Sequence, residues 1–174
     1  NTEFKSSIKK PYPTTPALVN DKSQKIYKSG GKIFQNLKEL TKSLEHASLK
    51  TLAAFLNTEG GQLIIGVSEL DKDNPIVGIE HDFDENSKIN TNDSYVLHLS
   101  GLIENQIGKA KLAKFIKISV KKIEEKKHIC ILECTEIPNI LKPVHLDNEI
   151  YIRTSNKTEK LEGKDLVEYM RILN

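Results

Sequence analysis

The sequence predicts a mixed α/β fold, a mostly antiparallel β-sheet covered by three helices. Three observations carry that expectation. Residues 33 to 54 repeat apolar side chains at alternating four- and three-residue steps, the stripe of one helical face. "QLIIGV", "KFIKISVKKI" and "HICILEC" are short runs, alternating or continuously apolar, as strands are. Strand-like and helix-like stretches follow one another in the order strand, helix, strand, strand, helix, three strands, helix.

"TEFKSSI" alternates, so Phe4 is expected to face the interior and Glu3 with Lys5 the solvent. Residues 11 to 31 hold three prolines and a closing glycine pair with no period, which reads as a surface loop or insertion. The long helix follows, with Ile33, Leu37, Leu40, Leu44, Ala47, Thr51 and Ala54 on its stripe. Leu52, Phe55 and Leu56 widen the stripe, so the last turns should be buried on most sides. "QLIIGV" is expected to be a strand covered on both faces, with "NPIVGIE" as its antiparallel neighbour. Val96, Leu99, Ile103 and Ile107 mark a second helix, capped by Asp93 or Ser94 and ended by Gly108. "KFIKISVKKI" alternates, and "HICILEC" is apolar on both faces and so should be central. "EIYIRTS" should turn Ile150 and Ile152 inward and Tyr151 and Arg153 outward. A short helix with Leu166, Val167, Met170 and Leu173 on one side closes the chain.

The 174 residues are read as one domain, 1–174, long enough to bury a core. The chain opens without Met in a patterned segment, which predicts a domain of a longer protein. No apolar run approaches the roughly 20 residues of a membrane span. Cys130 and Cys134 lie four apart on one strand face, about 13 Å, too far for a mutual disulfide. Reduced core cysteines fit a cytoplasmic protein. The net charge of +2 does not by itself announce nucleic acid, but its distribution is uneven. Residues 68 to 105 are acidic, and the stretch from Lys109 to Lys127 is lysine-rich.

"NTEGGQLIIGV" resembles a phosphate loop in composition only. Such a loop runs from strand to helix, so that free amides and the positive helix end meet the anion. Here a helix ends, Gly60 and Gly61 follow, and a strand begins. A helix C-cap is the better reading. "SGGKI" lacks the spacing and the Ser/Thr of a nucleotide loop. Gly66, inside a strand, marks a bulge or a close backbone approach.

Taken together, "TEFKSS", "LKTLAAFLNTEGGQLIIGVSE", "PIVGIEHDF", "LHLSGLIENQIG" and "EIYIRTSNKTEKLEGKDLVEYM" resemble the bacterial AlbA_2 DNA-binding domain family, shared with the core of Schlafen proteins. The similarity runs from residue 2 to 173 and breaks mainly over 11 to 31. The resemblance implies a mixed α/β module of a longer bacterial protein, regulatory or defence-type, that works on nucleic acid. An older label for such domains is a divergent ATPase, and the direction of the glycines counts against it here. Schlafen relatives carry a nuclease site of two glutamates five apart on the first strand and an aspartate after the "GV" strand. Glu3 matches the second glutamate, and the first would precede residue 1. After Val67 stand Ser68 and Glu69 where relatives have Asp-Asp. The alternative function is therefore a nuclease using Glu3 and Glu69 as catalytic ligands of Mg²⁺ or Mn²⁺, a thin site for a catalytic metal.

The leading expectation is a non-specific nucleic-acid-binding accessory domain with no cofactor. Its candidate contacts are Lys5 beside Glu3, Lys117 and Lys121 on one strand face, and Tyr151, Arg153, Asn156 and Lys157 near the end of another. An aromatic ring beside a guanidinium suits base stacking and backbone contact. A third expectation is a homodimer or docking module using the 33 to 54 stripe. His81 among Asp82, Asp84 and Glu85 is read as a polar loop, although such a group could attract a cation.

Overall fold

Asn36 opens the long helix because its side chain accepts the Glu39 N–H at 3.0 Å, while the Glu39 carboxylate accepts the Gln35 N–H at 2.9 Å. In the computed structural model, which describes residues 1–12, 18–19, 25–29, 31–85, 88–155 and 157–173, this helix is α1, Leu37–Asn57. Before it come strands β1 (Thr2–Lys5), β2 (Leu18–Val19), β3 (Lys25–Ser29) and β4 (Lys32–Phe34). The described parts of 11 to 31 thus carry strands of a small antiparallel sheet, β2-β3-β4, where a loop was expected. Ile33 belongs to β4 and not to the helix.

After α1 come β5 (Gly61–Ile65), α2 (Asn92–Ile103), a π-helical turn at Glu104–Gly108 and α3 (Lys109–Phe115). Then follow β6 (Ile116–Glu124), β7 (Lys127–Cys134), β8 (His145–Leu146), β9 (Glu149–Thr154), β10 (Lys157–Lys160) and α4 (Gly163–Leu173). The main sheet has the order β1-β5-β7-β6, parallel between β1 and β5 and antiparallel elsewhere. A second sheet has the order β10-β9-β8. The fold is therefore mixed, as expected, with β7 central. The antiparallel neighbour of β5 is β7; "NPIVGIE" contributes a single bridge, Val67 to Ile76, and then a 3₁₀ turn at Ile79–Asp82.

The last turns of α1 are enclosed. Leu52, Ala53, Ala54, Phe55 and Leu56 pack with Leu63, Ile65, Cys130 and Leu132 of the main sheet in one core. Each large apolar side chain so buried contributes about 1.5–3 kcal/mol. β5 alternates, with Leu63 and Ile65 buried, Ile64 half-buried and Gln62 exposed, so only one of its faces is fully covered. α2 starts on Thr91, whose hydroxyl accepts the Ser94 N–H at 3.1 Å in a capping box. That is earlier than the expected Asp93 or Ser94. Tyr95 replaces Val96 on its buried side. Gly108, at φ +113°, breaks the helix, and α3 continues beyond it. α4 buries none of its residues; its Tyr169 hydroxyl donates to the Asn57 carbonyl at 2.9 Å.

The glycines that open β5 are architectural. Gly60 has φ +78°, and its N–H returns to the Phe55 carbonyl at 3.0 Å, so it ends α1 in the left-handed conformation. A Cβ at Gly60 would lie 2.5 Å from the Cys134 carbonyl oxygen. Asn57, buried just before, donates to the Val144 and Tyr151 carbonyls at 2.9 Å each and accepts the Val144 N–H at 2.7 Å. One amide therefore fastens the end of α1 to the second sheet.

Candidate nucleic-acid interface

β1 pairs with β5 so that Glu3 stands opposite Leu63 and Lys5 opposite Ile65. Paired residues of parallel strands share a face, so Glu3 and Lys5 lie on the face that α1 covers. Phe4 lies on the other face, half-buried. This reverses the expected orientation. β1 is an edge strand, and only its neighbours decide which of its two faces is roofed.

The roof brings Arg153 of β9 to Glu3. The Arg153 Nη2 donates to Glu3 Oε2 at 2.7 Å, and Lys5 Nζ donates to Glu3 Oε1 at 2.9 Å. Arg153 Nη1 donates to Thr158 Oγ1 at 3.0 Å, and the guanidinium carbon lies 5.5 Å from the centre of the Phe55 ring. The buried Nε has no hydrogen-bond partner among the described residues. Burial pushes the Glu3 carboxyl up, but the hydrogen bonds and charges of Lys5 and Arg153 outweigh it and hold the pKa below the ordinary value.

Tyr151 and Arg153 were expected outside and are inside, at 6% and 8% exposure. The second sheet packs β9 onto α1, so the alternate positions of the strand meet the helix. Tyr151 donates its hydroxyl to Glu149 and lies under Lys50, whose Nζ is 5.6 Å from the ring centre. Burial and the Glu149 carboxylate push the tyrosine pKa up to about 12. In this arrangement the ring and the guanidinium are largely covered and paired with Glu149 and Glu3, instead of standing open on the outer face as expected.

Glu69 is exposed in the segment after Val67. It lies four positions beyond the end of β5, outside the strand that pairs with Glu3. Glu3 is paired with two cations, and among the described residues no group of three or more His, Cys, Asp or Glu could hold a metal ion. The described residues therefore do not fit the Mg²⁺ or Mn²⁺ of the nuclease alternative.

Lys117 and Lys121 face solvent on β6; Lys117 Nζ is a loose 3.7 Å from Glu133, and Lys121 has no ion pair among the described residues. Lys157 is exposed and donates to Glu159 at 2.8 Å. Asn156 lies outside the described residues. The structure thus brings Glu3, Lys5 and Arg153 together and leaves Lys117, Lys121 and Lys157 on the surface. Cys130 and Cys134 are free and buried, and burial pushes both thiols up to about 12. Reactive-thiol chemistry needs the opposite shift.

Asp82, expected in a polar loop, is an interior residue instead. It is fully buried and accepts the amides of Ile8, Lys9 and Lys10 at 2.9, 3.0 and 3.0 Å, with the Tyr95 hydroxyl at 3.1 Å. It is an internal anchor for the chain after β1. Its three amide donors are more than 70 positions away and the Tyr95 hydroxyl is 13 away, so nothing local marks it.

A mixed sheet under one long helix, with a glutamate–arginine lock between its first strand and its second sheet, makes this an α+β domain. The chain belongs to the Schlafen AlbA_2 family, whose model matches residues 1–162. No curated protein matches it. Among the described residues no helix is long and apolar enough to cross a membrane.

Proposed function

We propose that this chain is a nucleic-acid-binding accessory domain without chemistry of its own, gripping the sugar-phosphate backbone non-specifically. Membership of the Schlafen AlbA_2 family is the observation that carries the reading. Solvent-facing lysines support it, with Lys117 and Lys121 on β6 among them. Backbone contacts of this kind carry no sequence information and weaken steeply with salt. Arg153 and Tyr151 serve as packing and locking groups in this reading, and Glu3 as the counter-ion of the lock.

A mobility-shift titration with duplex DNA and with RNA, each at low and at moderate salt, tests it. Retardation at low salt that fades at moderate salt is expected for at least one of them. No retardation of either at low salt overturns the reading.

A further inference from the structure

We propose that the phosphate backbone of a single nucleic-acid strand seats in the groove between the segment after β1 and the first turns of α1, held by Lys9, Lys38 and Lys42. This rests on the nucleic-acid reading above and gives it an address. The groove has a volume of about 420 Å³. Its charged lining is Lys9, Lys10, Lys38 and Lys42 against Glu45 and Asp84, so ammonium groups outnumber carboxylates four to two. Glu45 is further occupied by His98, whose Nε2 is 2.7 Å from its Oε1. Lys10 Nζ donates to the Phe83 carbonyl, which commits that ammonium to the groove wall. Lys9, Lys38 and Lys42 have no ion pair among the described residues.

The groove is also rigid on the side that matters. Asp82 holds the amides of Ile8, Lys9 and Lys10 from below. The Thr41 hydroxyl of α1 donates to the Lys9 carbonyl at 2.8 Å, so the two walls are tied to each other. Ordering cost on binding is then confined to three side chains, whose backbone positions are already set. Lys38 and Lys42 are four residues apart on α1, about 6 Å along its axis. That is the order of spacing between adjacent phosphates of an extended strand, which favours a polyanionic strand over an isolated anion. Leu37, half-exposed, and the stem of Thr41 give the groove an apolar floor against which sugar and base edges can lie.

The test uses fluorescence anisotropy with a labelled oligo(dT) strand and the matching oligo(U). Three proteins are compared: the unmodified chain, the triple variant Lys9→Gln, Lys38→Gln, Lys42→Gln, and a charge-matched control with Lys72, Lys126 and Lys164, all exposed, changed to Gln. Thermal melts confirm that all three fold. Each phosphate contact to a single strand contributes about 0.7 to the slope of log K against log salt. The groove variant is therefore expected to lose about 2 from that slope and on the order of 100-fold in affinity at 0.1 M salt. The control should stay within a few-fold of the unmodified chain. If the unmodified chain binds and the groove variant binds as tightly with the same slope, the groove assignment is overturned while the nucleic-acid reading stands. If the unmodified chain binds neither strand nor duplex, both fall. If polyglutamate displaces from the groove lysines with the affinity that the oligonucleotides lack, the groove is a protein-docking surface and the proposal is overturned.

Discussion

Glu3 and Arg153 stand 150 positions apart in the chain and 2.7 Å apart in space. Their pairing has consequences that can be measured. A carboxyl whose pKa is lowered by folding contributes stability above its unfolded value and loses it as pH falls through its folded value. The urea midpoint should therefore drop as pH moves from about 5 towards 3, and Glu3→Gln should flatten that part of the curve. A pH profile unchanged by the substitution would show that the lock is not formed in solution. Arg153→Met leaves the Glu3 carboxylate short of its buried partner and is expected to cost about 3 kcal/mol, or about 6–12 °C in melting temperature. Asn57→Ala removes three hydrogen bonds and leaves backbone groups of Val144 and Tyr151 unpaired inside the protein. A loss of about 3 kcal/mol in urea denaturation is expected; a loss below about 1 kcal/mol would mean that water takes over the vacated site.

At the scale of elements, local rules were readable and partner-dependent ones were not. The stripe of α1 and the buried run near its end could be read because helical period is a property of the segment itself. So could the centrality of β7, whose residues Ile129 to Leu132 are all buried. The glycines after α1 were also legible, since a helix-to-strand order fixes their role. Gly60→Ala tests this: the positive φ and the approach of the Cys134 carbonyl together should cost at least about 2 kcal/mol by thermal or urea melting. A neutral result would show that α1 ends differently. By contrast, the faces of β1 were reversed, and on β9 Tyr151 and Arg153 are inside although Ile150 is buried as expected. Both alternate cleanly, and alternation says that two faces differ without saying which one a helix will cover. Tyr151 and Arg153 look like surface residues by type, yet one gains Glu149 and the other Glu3 and Thr158 as partners on burial. The strands within 11 to 31 and the helix after Gly108 lacked any pattern long enough to announce them.

For the molecule as a whole, the family membership could be read from the quoted segments because they combine a specific helix-end sequence with a later strand; the family model ends at residue 162, before the closing helix. The binding surface was less accessible. Lys9 and Lys38 come from different segments and meet only because Asp82 and Thr41 draw the chain after β1 against α1. On the stripe of α1 expected as a possible dimer seam, Leu40, Thr51 and Ala54 are buried within this chain, Leu44 and Ala47 are half-buried, and Leu37 is half-exposed at the groove. In the proposed function this domain binds nucleic acid through phosphate contacts made by surface lysines. The most direct measurement is the dissociation constant of the unmodified chain for a single strand across a series of salt concentrations. A straight line of log K against log salt is expected, with a slope of about −2 or steeper, the value for three lysine–phosphate contacts. No binding of a single strand or of a duplex at low salt, or binding with a slope near zero, would contradict it.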